Sequence, residues 1–465
     1  MSPEDTPEDG SGDASKGPRK GSSEEAPRDA AGSAPESPGP PGGTRTITAR
    51  QLLGKWPVWA FPAVLSTLVA FVLALVYAGG IADPQGSVRN LPVALVNQDA
   101  GQLGAQFVQG IAHAPDPQHR VAWKVLTPAG AQDALDSGKV YGAIEVPPGF
   151  TASLTAIISP PAAASGSGSA AVPRPYVRLL TNPGAGSLAS SLAAGVEQKA
   201  QRAASRQLGA DLAGQLRSTG AQPTTAQRML LADPVSSVTA PGHPIGARTG
   251  LGLTAFYFTL LIVMSGFLGA NIISNGVDAA LGHAPSELGP WWRMRSAVAI
   301  SRTQTLLAKM VMSAVLSVVS ASVVVLATAV IIRLDLPHLW QLWVFSVCAS
   351  AIVGLGVQAL LAAFGGLGQI VSMFFFVALA IPSAGATVPL EAVPGFYRWL
   401  ARFEPMRQIS GGVRAIIYFD ARADAGLARA WVMLAIGLVI SLVLGFGVTH
   451  WYDRRGLHRA NPPAA

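Results

Sequence analysis

Residues 58–78 read VWAFPAVLSTLVAFVLALVYA. The run holds no charged side chain, and at about 1.5 Å of rise per residue a helix of this length crosses the roughly 30 Å hydrocarbon core of a bilayer. A cleaved secretory leader keeps a shorter apolar core near the start of the chain. Here a polar stretch comes first, so the run is expected to stay as an anchor.

Five runs of the same character follow, at about 251–274, 310–332, 341–363, 368–388 and 429–449. The fourth and fifth joined would make a helix of about 72 Å, more than twice the bilayer core, so the chain must break between them, at Gly365-Gly366-Leu367-Gly368. Composition agrees: of 465 residues, 50% are hydrophobic and 13% charged, against about 25% charged in soluble domains, and the mean hydropathy is +0.38. The net charge of +7 comes mostly from arginines scattered among the apolar runs, which points to membrane topology and away from nucleic acid.

An even number of spans puts both termini on one side. Arg45, Arg50 and Lys55 before the first span, Arg293, Arg295 and Arg302 between spans two and three, and Arg454, Arg455 and Arg459 at the end favour the cytoplasm for that side. Arg398, Arg402, Arg407, Arg414 and Arg422, between spans five and six, stand against it, so the first span carries the weight. A plasma-membrane, multi-pass protein with both termini cytoplasmic is expected.

The topology divides the chain into a disordered cytoplasmic tail (1–50), too polar to bury a core, the first span (58–78), an exported domain (83–247), a five-helix membrane domain (251–449) and a cytoplasmic tail (450–465). Within the exported domain, Leu91 to Val96 reads as a strand, followed by Asp99 as a cap for a helix carrying Leu103, Phe107 and Ile111. The pattern repeats with a strand at 121–126, a helix at 129–135 capped by Thr127 and a strand at 140–146. A flexible loop at 159–174 then leads to a strand at 176–181 and a helix of about 30 residues, roughly 45 Å long. Alternating β and α predicts a parallel or mixed sheet covered by helices. The fold class expected is an α-helical polytopic membrane protein of six spans with a large exported α/β domain between spans one and two.

No catalytic, cofactor or metal residues emerge. There is no GxxxxGK[ST] phosphate loop, since Gly138-Lys139 is followed by Val140, so ATP hydrolysis would have to come from a separate subunit and the chain itself is not expected to be an enzyme. Gly184-Ala-Gly186-Ser-Leu-Ala189 fits a dinucleotide turn in pattern, but without the acidic residue some 20 positions on it reads as a small-residue helix entry. The seven histidines are dispersed, without metal-site spacing, and read as surface or loop positions. The single cysteine, Cys348, excludes an intrachain disulfide. Arg429, the first residue of the sixth run, aside, none of the spans as bounded above holds an ionisable group, which predicts transport not driven by proton or sodium exchange. Asn271, Asn275 and Gln358 are the candidate polar path. Near 393–418, Pro394 opens a stretch in which Phe396, Trp399, Leu400 and Phe403 oppose Arg398 and Arg402, which predicts an amphipathic helix lying in the outer interface; a second piece follows Pro405, with Ile409, Val413 and Ile417 opposite Arg407 and Arg414.

Three segments resemble the type 2 ABC exporter permease superfamily, most closely its phage infection protein (Pip) branch and related actinobacterial membrane proteins. They are LPVALVNQDAG (91–101) with YGAIEVPPGFTASL (141–154), GLGLTAFYFTLLIVMSGFLGANIIS (250–274), and PSAGATVPLEAVPGFYRWLARFEPMRQISGGVR (382–414) with Pro382, Gly385, Pro394, Pro405 and Arg414 at the matching positions. The resemblance implies an export permease for a lipid, hydrophobic drug or envelope precursor. It would work in a homodimer or with a second permease, alongside a separate ATPase that contacts the loop between spans two and three. That loop, VDAALGHAPSELGPWWRMR (277–295), departs from the acidic, Thr-containing segment common in the superfamily; Asp278, Glu287, Trp291, Trp292, Arg293, Arg295 and Arg302 are its candidate coupling residues. The Pip branch implies a second possibility, a non-transporting envelope protein whose exported domain is a receptor or scaffold. Arg-rich, Lys-poor, Ala- and Gly-rich usage suggests a high-GC bacterium.

Overall fold

A computed structural model describes residues 48–81, 83–159, 174–218, 224–457 and 459. The expected N-terminal tail up to residue 47, most of the loop expected at 159–174 and nearly all of the C-terminal tail beyond 457 lie outside the described residues. The chain divides into two units, Met1–Leu65 and Ser66–Ala465. In the first, a short helix at Ala49–Leu53 precedes the start of α1 (Trp56–Ile81), where Trp59 Nε1 donates to the Leu53 carbonyl at 2.7 Å.

The second unit continues from α1 into a domain of alternating strands and helices. These are β1 (Leu91–Asn97), α2 (Gln102–Ala112), β2 (Val121–Leu126), α3 (Pro128–Asp136), β3 (Gly142–Val146), α4 (Phe150–Ile158), β4 (Tyr176–Thr181), α5 (Ser187–Ser218), α6 (Thr225–Ala232) and β5 (Ser236–Pro241). The five strands form one sheet in the order β2-β1-β3-β4-β5, parallel except where β3 meets β4. β1 and β3 are buried on both faces, which is why they read as continuous apolar runs, whereas of the edge strands β2 is half-buried and β5 largely exposed. Thr127 does cap α3, accepting from Gly130 N at 3.2 Å. Asp99 plays another part: α2 begins after Gly101, and Asp99 binds the Thr151 hydroxyl at 2.5 Å, joining α2 to the start of α4.

The membrane half follows: α7 (Thr254–Ala280), the short hairpin β6 (Ser286–Leu288) and β7 (Trp291–Arg293), α8 (Arg302–Leu326), α9 (Leu339–Phe364), α10 (Gly366–Met373), α11 (Gly395–Leu400), α12 (Pro405–Tyr418) and α13 (Leu427–Arg454). Six helices are long and apolar enough to cross a membrane: Val58–Tyr77, Thr254–Ala280, Arg302–Ile331, Leu339–Phe364, Gly366–Ser383 and Leu427–Arg454. α8 and α10 reach their lengths through π-helical turns at Ala327–Ile331 and Phe374–Ala378. Between α9 and α10, Gly365 has φ of 59°, and a Cβ on Gly368 would lie 2.5 Å from the Leu360 carbonyl oxygen, so this glycine cluster permits the sharp reversal.

Two expectations are corrected. The third span starts eight residues earlier than its apolar run, at Arg302, because Ser301 caps α8 by accepting from Gln304 N at 3.1 Å. Lys309 therefore lies inside a span, and the second span, running on to Ala280, contains Asp278. The premise that no span carries an ionisable group fails, and with it the reason to exclude ion-coupled transport. Of the two amphipathic pieces expected near 393–418, only the first has the exposure of an interfacial helix. α11 and the turn after it expose Phe396, Trp399 and Phe403, as an interfacial helix would, but α12 buries Ile409, Val413 and Ile417 in the core shared with α7, α9 and α13.

Candidate functional site

α12 is placed by its own ends. Pro405 occupies its first turn, where no N–H is missed, and the Glu404 carboxylate accepts from Met406 N and Arg407 N, both at 2.8 Å. Burial pushes Glu404 up, to about 8, against those two hydrogen bonds. Gly412 lets the helix sit close to α9: a Cβ there would fall 2.3 Å from the Phe345 ring. Arg407 and Arg414, seven residues apart, share a face that looks towards the sheet domain.

That face, with the segment that follows α12, docks on the sheet domain through four links. Arg414 Nε donates to the Gly184 carbonyl at 3.1 Å, His243 Nε2 lies 2.6 Å from the Tyr418 carbonyl, Lys139 meets Asp424 at 2.7 Å, and Arg422 meets Asp133 at 2.5 Å. His243 also contacts Asp136 at 2.8 Å and packs on Phe419, so it is a half-buried strut and not the surface position its isolation in sequence suggests. The Gly184–Ala189 turn is filled by the same contact: a Cβ on Gly184 would lie within 3.3 Å of both Tyr418 and Phe419, which leaves no room for a dinucleotide. Of the arginines that stood against the positive-inside pattern, Arg414 and Arg422 thus have partners in or beside the sheet domain.

Between the sheet domain and α12 lies a cavity of about 580 Å³, bordered by Lys139, Tyr141, Arg407, Arg414, Asp424 and Arg429. Hydrogen bonds from Arg422 and Lys139 hold Asp424 down to about 2. Burial lowers Arg414 to about 10, so it stays cationic at neutral pH. Burial first, and then Glu391, raises Tyr141, whose hydroxyl donates to Glu391 at 3.1 Å. A second cavity of about 350 Å³ lies among α9, α10, α12 and α13, walled by Ile352, Val371, Phe375, Ile409, Met433 and Ile440. Its surface is almost wholly apolar, and Gln408 borders both cavities.

A polar cluster occupies the end of the bundle away from the sheet domain. Lys309 Nζ on α8 donates to Asp278 at 2.8 Å and to the Ser274 hydroxyl at 2.9 Å, both on α7. Arg459 reaches the same carboxylate at 2.6 Å. Ser313 Oγ donates to the Lys309 carbonyl and accepts from Gln358 Nε2 at 3.3 Å; Gln358 Nε2 also bonds the Ala270 carbonyl at 2.9 Å. A cavity of about 30 Å³, one water in size, lies among Arg302, Thr305, Lys309, Gln358 and Thr449. Asp453 on α13 closes the end, accepting from Arg302 N at 2.9 Å and Thr303 Oγ1 at 2.7 Å.

Of the candidate polar path, only Gln358 joins this cluster. Asn271 donates to its own helix, at Phe267 O and 2.8 Å, and Asn275 is exposed. Of the candidate coupling loop, Asp278 and Arg302 belong to the cluster. Glu287, Trp291, Trp292 and Arg293 form the β6–β7 hairpin, with Arg295 just beyond; the tryptophans are 76% and 63% exposed. The motif residues near the end bear on α12: Pro382 is buried at the end of span five, Gly385 has φ of 65° with Arg407 packed over it, Pro394 precedes α11, Pro405 opens α12, and Arg414 docks the sheet domain. Sequence reading missed Lys309, because it flanks an apolar run, and Arg429, because it stands alone at the start of another.

Six apolar helices with a sheet domain between the first and second define a membrane protein. The chain belongs to the family described as "Protein of unknown function (DUF3533)", whose model matches residues 63–437. It is also 27% identical over 135 residues to "Uncharacterized protein YhgE" of Bacillus subtilis (strain 168). That match covers 29% of this chain and 16% of the relative, so the chain spans well under two thirds of the relative's length. No solved structure matches.

Proposed function

We propose that this chain is the membrane permease subunit of a type 2 ABC-like exporter that moves an amphiphile, such as a lipid, hydrophobic drug or envelope precursor, across the plasma membrane. The observation that carries the reading is the pair of adjoining cavities, one apolar within the bundle and one polar beneath the sheet domain, with Gln408 common to both. An amphiphile leaving a bilayer needs such an apolar-to-polar sequence, whereas a scaffold needs neither cavity. The sheet domain is exported and the β6–β7 hairpin is cytoplasmic. In a Cys348→Ser background, Ser237→Cys is expected to label from outside intact cells and Glu287→Cys to be protected. The reverse pattern would overturn the topology.

The exposed Trp291 and Trp292, rimmed by Glu287, Arg293 and Arg295, are the docking point for a separate ATPase. Truncating an aromatic anchor typically costs 2 kcal/mol or more, roughly thirtyfold in affinity. Trp291→Ala with Trp292→Ala is expected to abolish ATPase co-purification while leaving membrane insertion intact. If no ATPase co-purifies with the wild type in gentle detergent, that energy source is lost. The decisive test of the function is efflux of a labelled lipid from vesicles carrying this chain and the ATPase, with ATP and with an ionophore as separate arms. Efflux that requires ATP and survives the ionophore supports the reading. The second reading, a receptor or scaffold, draws on the exposed sheet edges, where Val125 on β2 and Val238 on β5 are 63% and 51% exposed; absence of efflux under either arm favours it.

A further inference from the structure

The cations around the larger cavity fall into two groups. Lys139, at its rim, and Arg422, just outside the lining, are matched by Asp133 and Asp424. Arg407, Arg414 and Arg429 make no ion pair among the described residues: Arg407 Nη1 reaches only the Ala384 carbonyl, at 3.3 Å, and Arg414 Nε the Gly184 carbonyl. Glu391, bonded to Tyr141, offsets part of the Arg414 charge; Glu404, pushed up by burial, interacts with Arg407 without forming an ion pair; and Asp424 is already shared by Lys139 and Arg422. Three guanidinium groups without carboxylate partners, facing a cavity of about 580 Å³, form a surplus of positive charge with fork-shaped donors free to bind. Phosphate and carboxylate are the groups that such donors match. The neighbouring cavity adds a second requirement. It is apolar, roomy enough for the end of an alkyl chain, and walled in part by Phe375 and Ile440.

Resting on the export reading above, we infer that the cargo is an amphiphile with an anionic headgroup, the head held by Arg407, Arg414 and Arg429 under the sheet domain and a chain held in the apolar cavity. Gln408 marks the junction between them. Two positions separate head recognition from fold. Arg414 also ties α12 to the sheet domain, so its removal would confuse binding with docking, whereas Arg429 is exposed and Arg407 makes one carbonyl contact. Gly437, half-buried in the wall of the apolar cavity, has its nearest neighbour across a Cβ at 3.4 Å, so a larger side chain there enters the cavity without striking backbone.

The test uses the full chain purified in mild detergent, with photoactivatable phosphatidylglycerol and phosphatidylcholine analogues as probes and crosslinking yield as readout. Wild type is expected to favour the anionic probe about tenfold. Arg407→Gln with Arg429→Gln is expected to bring that preference to within about twofold while the yield with phosphatidylcholine is unchanged. Arg202→Gln with Arg206→Gln, an equal loss of charge on an exposed face of α5, should leave the preference intact, and thermal melting should show all variants folded. Gly437→Phe should reduce crosslinking of both lipids. Inorganic phosphate, which lacks a chain, should compete weakly. Full displacement by phosphate, with no effect of Gly437→Phe, would make the cavity a free-anion site and overturn the inference, as would equal crosslinking of the two lipids to wild type. Because binding is read without flux, headgroup preference without efflux removes the export reading alone, and efflux without headgroup preference removes this inference alone.

Discussion

Replacing Asp278 with Asn is expected to lower the stability of the full chain by roughly 3 kcal/mol, the low end of what removing one partner of a buried ion pair costs. The side chains of Lys309 and Asp278 are 6% and 21% exposed, so the variant leaves an ammonium group in the bundle with only neutral acceptors beside it, the Ser274 hydroxyl and the new amide oxygen. Arg459 contacts the same carboxylate but is more exposed, and Arg459→Ala is expected to cost much less. Lys309→Met with Asp278→Asn should recover most of the loss, since a methionine fills the space of the lysine stem without its charge. Thermal melting of wild type, Asp278→Asn, Lys309→Met and the double variant in one detergent gives the coupling directly. Costs below about 0.5 kcal/mol that simply add would show the pair to behave as a solvated one.

The same pair shows where sequence reading stopped. Spans were legible because a bilayer demands long uncharged runs, and the sheet domain because alternating strand and helix patterns leave little freedom at Leu91–Asn97 or Gly142–Val146. Lys309 and Asp278 were not legible as a pair. Each sits a turn or so beyond an apolar run, and only packing α7 against α8 brings their charges together and lets the helices carry them. α12 failed for a related reason: its two-faced pattern fits an interfacial helix and a helix wedged between a bundle and a domain equally well. What decides is Gly412 against Phe345, a contact between residues 67 positions apart. The cavity under the sheet domain draws on Lys139, Arg407 and Arg429, three segments whose proximity no spacing encodes.

Glu197 carries the other large expectation. It lies on α5 beneath β3, fully buried, with neither carboxylate oxygen hydrogen-bonded among the described residues. The fit is tight, since a Cβ on Gly142 would stand 2.1 Å from one of those oxygens. Burial raises Glu197 from an ordinary 4.5 to about 8, with no charge nearby to offset it. Below pH 4.5 folded and unfolded chains both hold the proton; between 4.5 and 8 only the folded chain does, so stability falls as pH rises through that window and levels off above it. At about 1.4 kcal/mol per unit, the whole window is worth at most about 5 kcal/mol. Glu197→Gln keeps the shape and removes the titration. Its melting temperature minus that of wild type, followed from pH 5 to 9, is therefore expected to climb by on the order of 10 °C and then plateau. Subtraction cancels the other titrating groups, which the two proteins share. Parallel profiles across the window would mean that the carboxylate finds a partner or water in solution, and that the core beneath β3 is wetter than the packing around Gly142 implies.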